Sequence, residues 1–393
     1  MQPDDLIRPW RDALDDAVPG LSFFDAHTHT GSNDPDGMRQ TPEELLEALA
    51  RARVTGAVVF TMHEPGGYSE ANDRILAEAA ASDGKLVPYC RLNPRDDPVA
   101  EAERCLGAGA RGIKLHPRAE EFRLADPRAD GIFALAHERK LPVIVHAGRG
   151  IPALGRDALD LAGRYPDARI ILAHAGVSDL AWIWRQLDDH PNVFFDSAWW
   201  SPIDLLTLFS HVPPSQIVWG SDSPYGTPAL SVVIATRCAL QAGLSGEQFN
   251  VIAGEQMKRL LDNEDPIDLG PPPGVDAIQV DLLLERISTY LVTSFGRLML
   301  GDSAPDYIGL ARLACEVGDD TPQAAVCRSV LALLDRFERF GPPPPPPDDG
   351  RPPGPATRFP GLGVVLIASV VARTPDVALP EEPEPVEVGE RTT

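Results

Sequence analysis

The sequence predicts an α/β protein built on a (β/α)8 TIM-type barrel, and three observations carry that expectation. Between Leu21 and about Leu261, eight short apolar runs alternate with longer segments rich in Ala, Leu, Glu and Arg. The runs are apolar on both faces, as strands must be when helices cover one side and side chains fill the other. A doubly wound open sheet would need a glycine-rich phosphate turn after its first strand. Here that turn reads HTHTGS.

The first run ends in FFDAHTH. TPEELLEALARAR then opens with Thr-Pro, an N-cap and first-turn signal, and leads into the second run, VTGAVVFTMHE. KLVPYCRLNP and GARGIKLHP form the third and fourth runs, with the helix-like DPVAEAERCLGAG between them. LPVIVHAG follows the helical IFALAHERK, ARIILAHAG follows GRDALDLAGRYP, and PNVFFDSAWW follows DLAWIWRQLDDH. QIVWGSDSP is the eighth run, and NVIAGEQMKRLLDN is the closing helix.

Residues 1–20 are a lead-in to the barrel, which occupies 21–269. GPPPG breaks the pattern at Gly270 to Gly274. A smaller, mostly helical C-terminal region follows over 270–340, where VDLLLERISTYLV and AAVCRSVLALLDRFERF repeat apolar residues at helical spacing. Two to four helices are expected there. Over 341–393 the sequence gives a proline-rich linker, GPPPPPPDDGRPPGP, suited to polyproline II. PGLGVVLIASVVA comes next as a short apolar helix or strand, and then the acidic tail EEPEPVEVGERTT, whose composition is that of a disordered segment.

A net charge of −23 repels phosphate, which excludes nucleic acid and anionic membranes as partners. The first twenty residues carry no apolar stretch of the secretory kind. The longest apolar run, Leu362 to Ala372, falls short of the ~20 residues a membrane span needs. Cys90, Cys105, Cys238, Cys315 and Cys327 are scattered without a CxxC pair, the pattern of reduced thiols in a cytoplasmic protein.

In such a barrel the C-terminal strand ends carry the chemistry. Those ends hold His27 and His29, His63, Arg91 and Asn93, Lys114 and His116, His146, His174, Asp196, and Asp222, in strand order. Six of the nine histidines fall at or just past them. His27 and His29, at i and i+2, project to one side of a strand, and two converging neutral imidazoles suit a metal ion. Asp25, deeper on the same strand, reads as structural support.

DAHTH, GIKLHP, VIVHAG, LAHAG and WGSD, in that order, resemble the amidohydrolase superfamily. More narrowly they resemble its amidohydrolase-related branch, which includes aminocarboxymuconate-semialdehyde decarboxylase-like proteins. The resemblance covers about residues 20–262. It implies that His27, His29, His146 and Asp222 bind one divalent ion, most often Zn2+, with Mn2+ as another candidate. It also implies that His174 stands beside the ion as proton shuttle and electrophile. In binuclear members a fourth-strand lysine is carboxylated and bridges two ions. Lys114 therefore has several readings: a bridge with His174 on a second ion, a contact for substrate carboxylate together with His116, or the partner of a buried acid.

The resulting expectation is a metal-dependent hydrolase of an amide, cyclic amide or ester bond in a small molecule. A metal-activated water attacks, Asp222 accepts its proton, and His174 hydrogen-bonds the developing oxyanion. The alternative is a non-oxidative decarboxylase on the same site. An alternative of another class is an inactive barrel serving as a binding or scaffold module. Arg149 in HAGRGIP and His63 in TMHEPGGY are the substrate-binding candidates. Trp199 and Trp200 wall the substrate or pack domains together, whereas His137, His190 and His211 read as structural. The C-terminal helices are candidates for packing, a lid or a homodimer interface.

Overall fold

A computed structural model describes residues 3–35, 37–276, 278–300, 305–339 and 361–381. The eight expected runs form one parallel sheet in sequence order. Its strands are β1 (Phe23–Thr30), β2 (Val54–Thr61), β3 (Leu86–Arg91), β4 (Gly112–Leu115), β5 (Pro142–Val145), β6 (Arg169–Leu172), β7 (Val193–Asp196) and β8 (Ile217–Val218). The sheet then curls until its edges meet. Across that seam the Ala26 amide donates to the Trp219 carbonyl at 2.9 Å, the Asp222 amide to His27 at 2.9 Å, and the His29 amide to Ser223 at 2.8 Å. Closure removes the two edges that an open sheet would leave unpaired.

The helices around it are α1 (Arg8–Ala17), α2 (Pro42–Arg51), α3 (Ser69–Ala80), α4 (Pro98–Gly107), α5 (Pro127–Arg139), α6 (Leu154–Arg164), α7 (Leu180–Ile183), α8 (Pro202–His211), α9 (Pro228–Gln241), α10 (Gly246–Asn250) and α11 (Gln256–Leu261). Thr41 and Glu44 cap α2 reciprocally, and Ser245 and Gln248 do the same for α10. DLAWIWRQLDDH makes only the single turn α7 and a 3-10 stretch, Trp184–Asp189. Trp182, Ile183 and Trp184 in succession have low intrinsic helix preference.

Two apolar clusters explain why the strands read as continuous apolar runs. Phe24, Val58, Phe60, Tyr89, Ile144 and Ile171 fill the barrel interior. A larger layer, including Ile113, Val143 and Ile170, packs beneath the helices. The β1–β2 ladder changes register between Asp25 and Thr28. This bulge lets His27 and His29 face inward although Phe24 and Ala26 already do.

Beyond the barrel lie α12 (Leu282–Met299), α13 (Pro305–Ala314), α14 (Ala324–Arg339) and α15 (Leu362–Arg373). The apolar segment left open as helix or strand is α15, with every residue from Val364 to Ala372 buried. It packs against α12, α14 and α9. On α9 the buried Arg237 guanidinium donates to Thr374 and to the carbonyls of Val377 and Ala378, tying down the chain after α15. At the other terminus the buried Trp10 indole donates to Ser329 on α14 at 2.8 Å. The proline-rich linker and nearly all of the acidic tail fall outside the described residues. Among the described residues no helix is long and apolar enough to cross a membrane.

Gly112 opens β4 where a side chain has no room, because an added Cβ would stand 2.4 Å from the Tyr89 ring. Gly112→Ala should therefore cost about 1–3 kcal/mol. Tyr89→Leu in the same chain should recover part of that loss. Denaturant midpoints of the two variants check both outcomes.

Candidate metal centre

The β1–β8 seam places donors from the two opposite edges of the sheet together. His29 Nε2 lies 3.2 Å from His27 Nε2 and 3.2 Å from Asp222 Oδ1. His27 Nε2 lies 3.3 Å from the same oxygen. Donors about 2.0–2.1 Å from one tetrahedral ion stand roughly 3.3–3.4 Å apart, so this triplet has the edge lengths of such a site. His174 joins from β6, its Nδ1 3.8 Å from Asp222 Oδ2. The donor atoms of His27, His174 and Asp222 all lie within 4.8 Å of one another. His174 and Asp222 both take left-handed backbone, with φ of 58° and 59°. Such conformations cost non-glycine residues energy and concentrate at functional sites.

Hydrogen-bond logic fixes the protons. Burial lowers the pKa of His27, His146 and His174, so their imidazoles are neutral. The His27 Nδ1–H donates to the buried Asp196 carboxylate at 2.7 Å, which leaves Nε2 bare. A carbonyl can only accept, so His174 Nδ1 donates to Ala198 at 2.8 Å and its Nε2 is bare. His146 Nδ1, 2.9 Å from that Nε2, must then be the donor. The lone pair of His146 Nε2 is left buried without a partner. That bare buried imidazole nitrogen suits a cation, and His146 meets the His27, His29 and Asp222 group through His174, with ring centroids 4.5 Å apart. Gly148 keeps the space clear, since an added Cβ would come within 3.2 Å of the His174 ring and 3.4 Å of His146 Nε2.

Lys114 projects from β4 into the interior, fully buried, with Nζ 3.1 Å from His27 Nε2 and 4.5 Å from the Phe60 ring centroid. Burial brings its ammonium down to about 7, with Asp222 and Asp196 opposing. Burial also pushes the Asp222 carboxyl well above the usual range, with Lys114 opposing and Asp196 and Asp25 adding to the rise. Asp25 accepts the backbone amides of His27 and Ser221, at 3.0 and 2.9 Å, and so braces the seam.

The remaining expected residues divide. His116 stacks on His146 at 3.8 Å, and its Nδ1 accepts the Ala119 amide, so it buttresses rather than joins the triplet. His63 stands apart, against Tyr68 at 3.3 Å and Glu120 at 3.7 Å. Arg149 is exposed on the loop after β5, close enough for its charge to act on His174. Asn93 bonds Asp96 within its own turn. His137 lies in α5 and His211 in α8, with His190 just past the 3-10 stretch. Two acids given no role from sequence hold neighbouring side chains in place. Asp196 holds His27 and also accepts the His174 and Ala198 amides at 2.8 and 3.0 Å. Glu120 pairs with the buried Arg91 at 2.7 Å. The carboxylate closing the apolar run VFFD was a readable signal for Asp196. Glu120 sits in an irregular loop and had none.

A family model described as Amidohydrolase matches residues 24–245. Among solved structures the chain resembles Amidohydrolase II at 21% identity, covering 61% of this chain and 100% of that one, with a TM-score of 0.50. It also resembles 2,6-dihydroxybenzoate decarboxylase complexed with 2,6-dihydroxybenzoate, at 12% identity over 62% of this chain and 98% of that one, with a TM-score of 0.50. Comparison with curated proteins finds no match.

Asp196→Asn keeps an oxygen for the two backbone amides but loses the carboxylate that orients His27. It should weaken the binding of a divalent ion about 10–100-fold. Competition against a chromophoric chelator measures this, and unchanged affinity would remove the orienting role.

Proposed function

This chain belongs to the amidohydrolase family, and on that premise we propose that it is a metal-dependent hydrolase of an amide, cyclic amide or ester bond in a small molecule. The observation that carries the reading is the convergence of His27 Nε2, His29 Nε2 and Asp222 Oδ1 at 3.2–3.3 Å. These three, with His146, would hold one divalent ion. The nitrogen-rich set suits Zn2+. When bound, the ion supplies Lewis acidity, which polarises the carbonyl under attack and acidifies the attacking water.

The protein's own groups do the rest. Asp196 keeps the bare nitrogen of His27 turned to the site. Asp222 has one oxygen in the triplet and the other turned to His174, so it can take the proton of the water and return it to the leaving group. His174 is neutral with both ring nitrogens engaged. It serves the oxyanion by shifting its Nδ1–H from Ala198 to the substrate oxygen. Arg149, exposed beside His174, can hold an anionic substituent by a bidentate contact.

Decarboxylation is the second reading. It uses the same residues, with His174 Nδ1–H as the proton source for carbon, and the chain shares its fold with 2,6-dihydroxybenzoate decarboxylase.

Zinc-loaded protein should open lactones or cyclic imides without releasing CO2. Release of CO2 from hydroxybenzoates transfers the assignment to the second reading. Turnover of neither class, together with no stoichiometric metal, leaves the scaffold reading instead. His174→Ala should keep the ion and lose about 100-fold or more in turnover, the scale of one general acid–base or oxyanion contact.

A further inference from the structure

The C-terminal helices lie outside the segment matched by the family, yet α12 reaches the mouth of the barrel through a run of aromatic rings. Phe295 on α12 packs against Trp200 with centroids 5.0 Å apart and planes at 34°. Trp200 packs against Trp199 at 5.7 Å and 35°. Trp199 meets the His174 ring edge-on at 5.9 Å and 61°. Its indole N–H is pinned to Asp204 in the first turn of α8 at 2.7 Å. Tyr225 stands against His29 in the same way, at 5.3 Å and 80°, and is 41% exposed. The two histidines nearest the two oxygens of Asp222 are thus each backed by an aromatic ring that is only partly covered.

We infer that α12 is a positioning element of the active site, and that the Phe295–Trp200 contact holds Trp199 as a specificity-determining wall for a substrate with a flat ring. Phe295 is nearly buried, whereas Trp199 and Trp200 are half-buried, so the run leads from the core to the opening. A half-covered indole beside the site offers apolar area that a ligand can cover. A flat aromatic ring lies against it over a whole face and matches its quadrupole. A puckered ring of the same size does neither. Removing Phe295 would let Trp200 move into the vacated space, and Trp199 with it. The inference rests on the proposed site, to which it adds a substrate class and a positioning role for a helix outside the family segment.

Benzoate and cyclohexanecarboxylate, titrated calorimetrically into the zinc-loaded full chain, test it. Wild type should prefer benzoate by about fivefold, the scale of one aromatic contact. Trp199→Leu should bring the ratio to about one, and Phe295→Ala should lower it at least about twofold, on the same basis. Phe295→Tyr should restore it. Ile287→Ala, a truncation two turns away in the buried face of α12, should leave it unchanged although it destabilises the helix. A ratio unmoved by Trp199→Leu or Phe295→Ala, or no preference in wild type, overturns the inference. If Phe295→Ala does not fold, Phe295→Leu takes its place under the same criterion. Zinc content of the same samples separates the two readings. Preference for benzoate in protein that takes up no zinc on loading supports the wall and counts against the metal site alone.

Discussion

Three backbone hydrogen bonds across the β1–β8 seam hold this structure together in both senses. They close the barrel, and they bring His27 and His29 from one end of the sheet against Asp222 from the other. The donors are neighbours only because the edges meet. Were the sheet open, β1 and β8 would be its two most distant strands. Asp25 reinforces the join by accepting amides from both sides, and its carboxyl, pushed up to about 7 by burial, reflects how completely the seam excludes water.

The imidazoles are neutral and are oriented by groups that accept or donate in only one direction, the Asp196 carboxylate and the Ala198 carbonyl. Orientation passes along a chain, from Ala198 to His174 to His146, and ends in a bare lone pair on His146 Nε2. The arrangement stores binding capacity for a cation in a place where an uncompensated charge would otherwise be costly. Asp196 governs two branches of it, because one carboxylate orients His27 and the backbone at His174.

The C-terminal region is integrated with the barrel rather than appended to it. Helix α15 is buried between α12, α14 and α9, Arg237 binds the residues after it, and Trp10 ties the lead-in to α14. The same packing carries Phe295 to Trp200.

The sequence by itself determined the number and order of the strands and the strand ends at which polar residues collect. These follow from alternation and local burial, which each segment carries independently of the others. It also showed that His27 and His29 project together. Which strand ends would touch was decided only in three dimensions. The donation of His146 to His174, the bracing of His27 by Asp196 and the pairing of Arg91 with Glu120 join residues 28, 169 and 29 positions apart. The bulge in β1 and the packing of α12 against Trp200 likewise left no local mark. A side chain's partner across a barrel depends on register, tilt and closure, and those are properties of the assembled sheet rather than of any one strand.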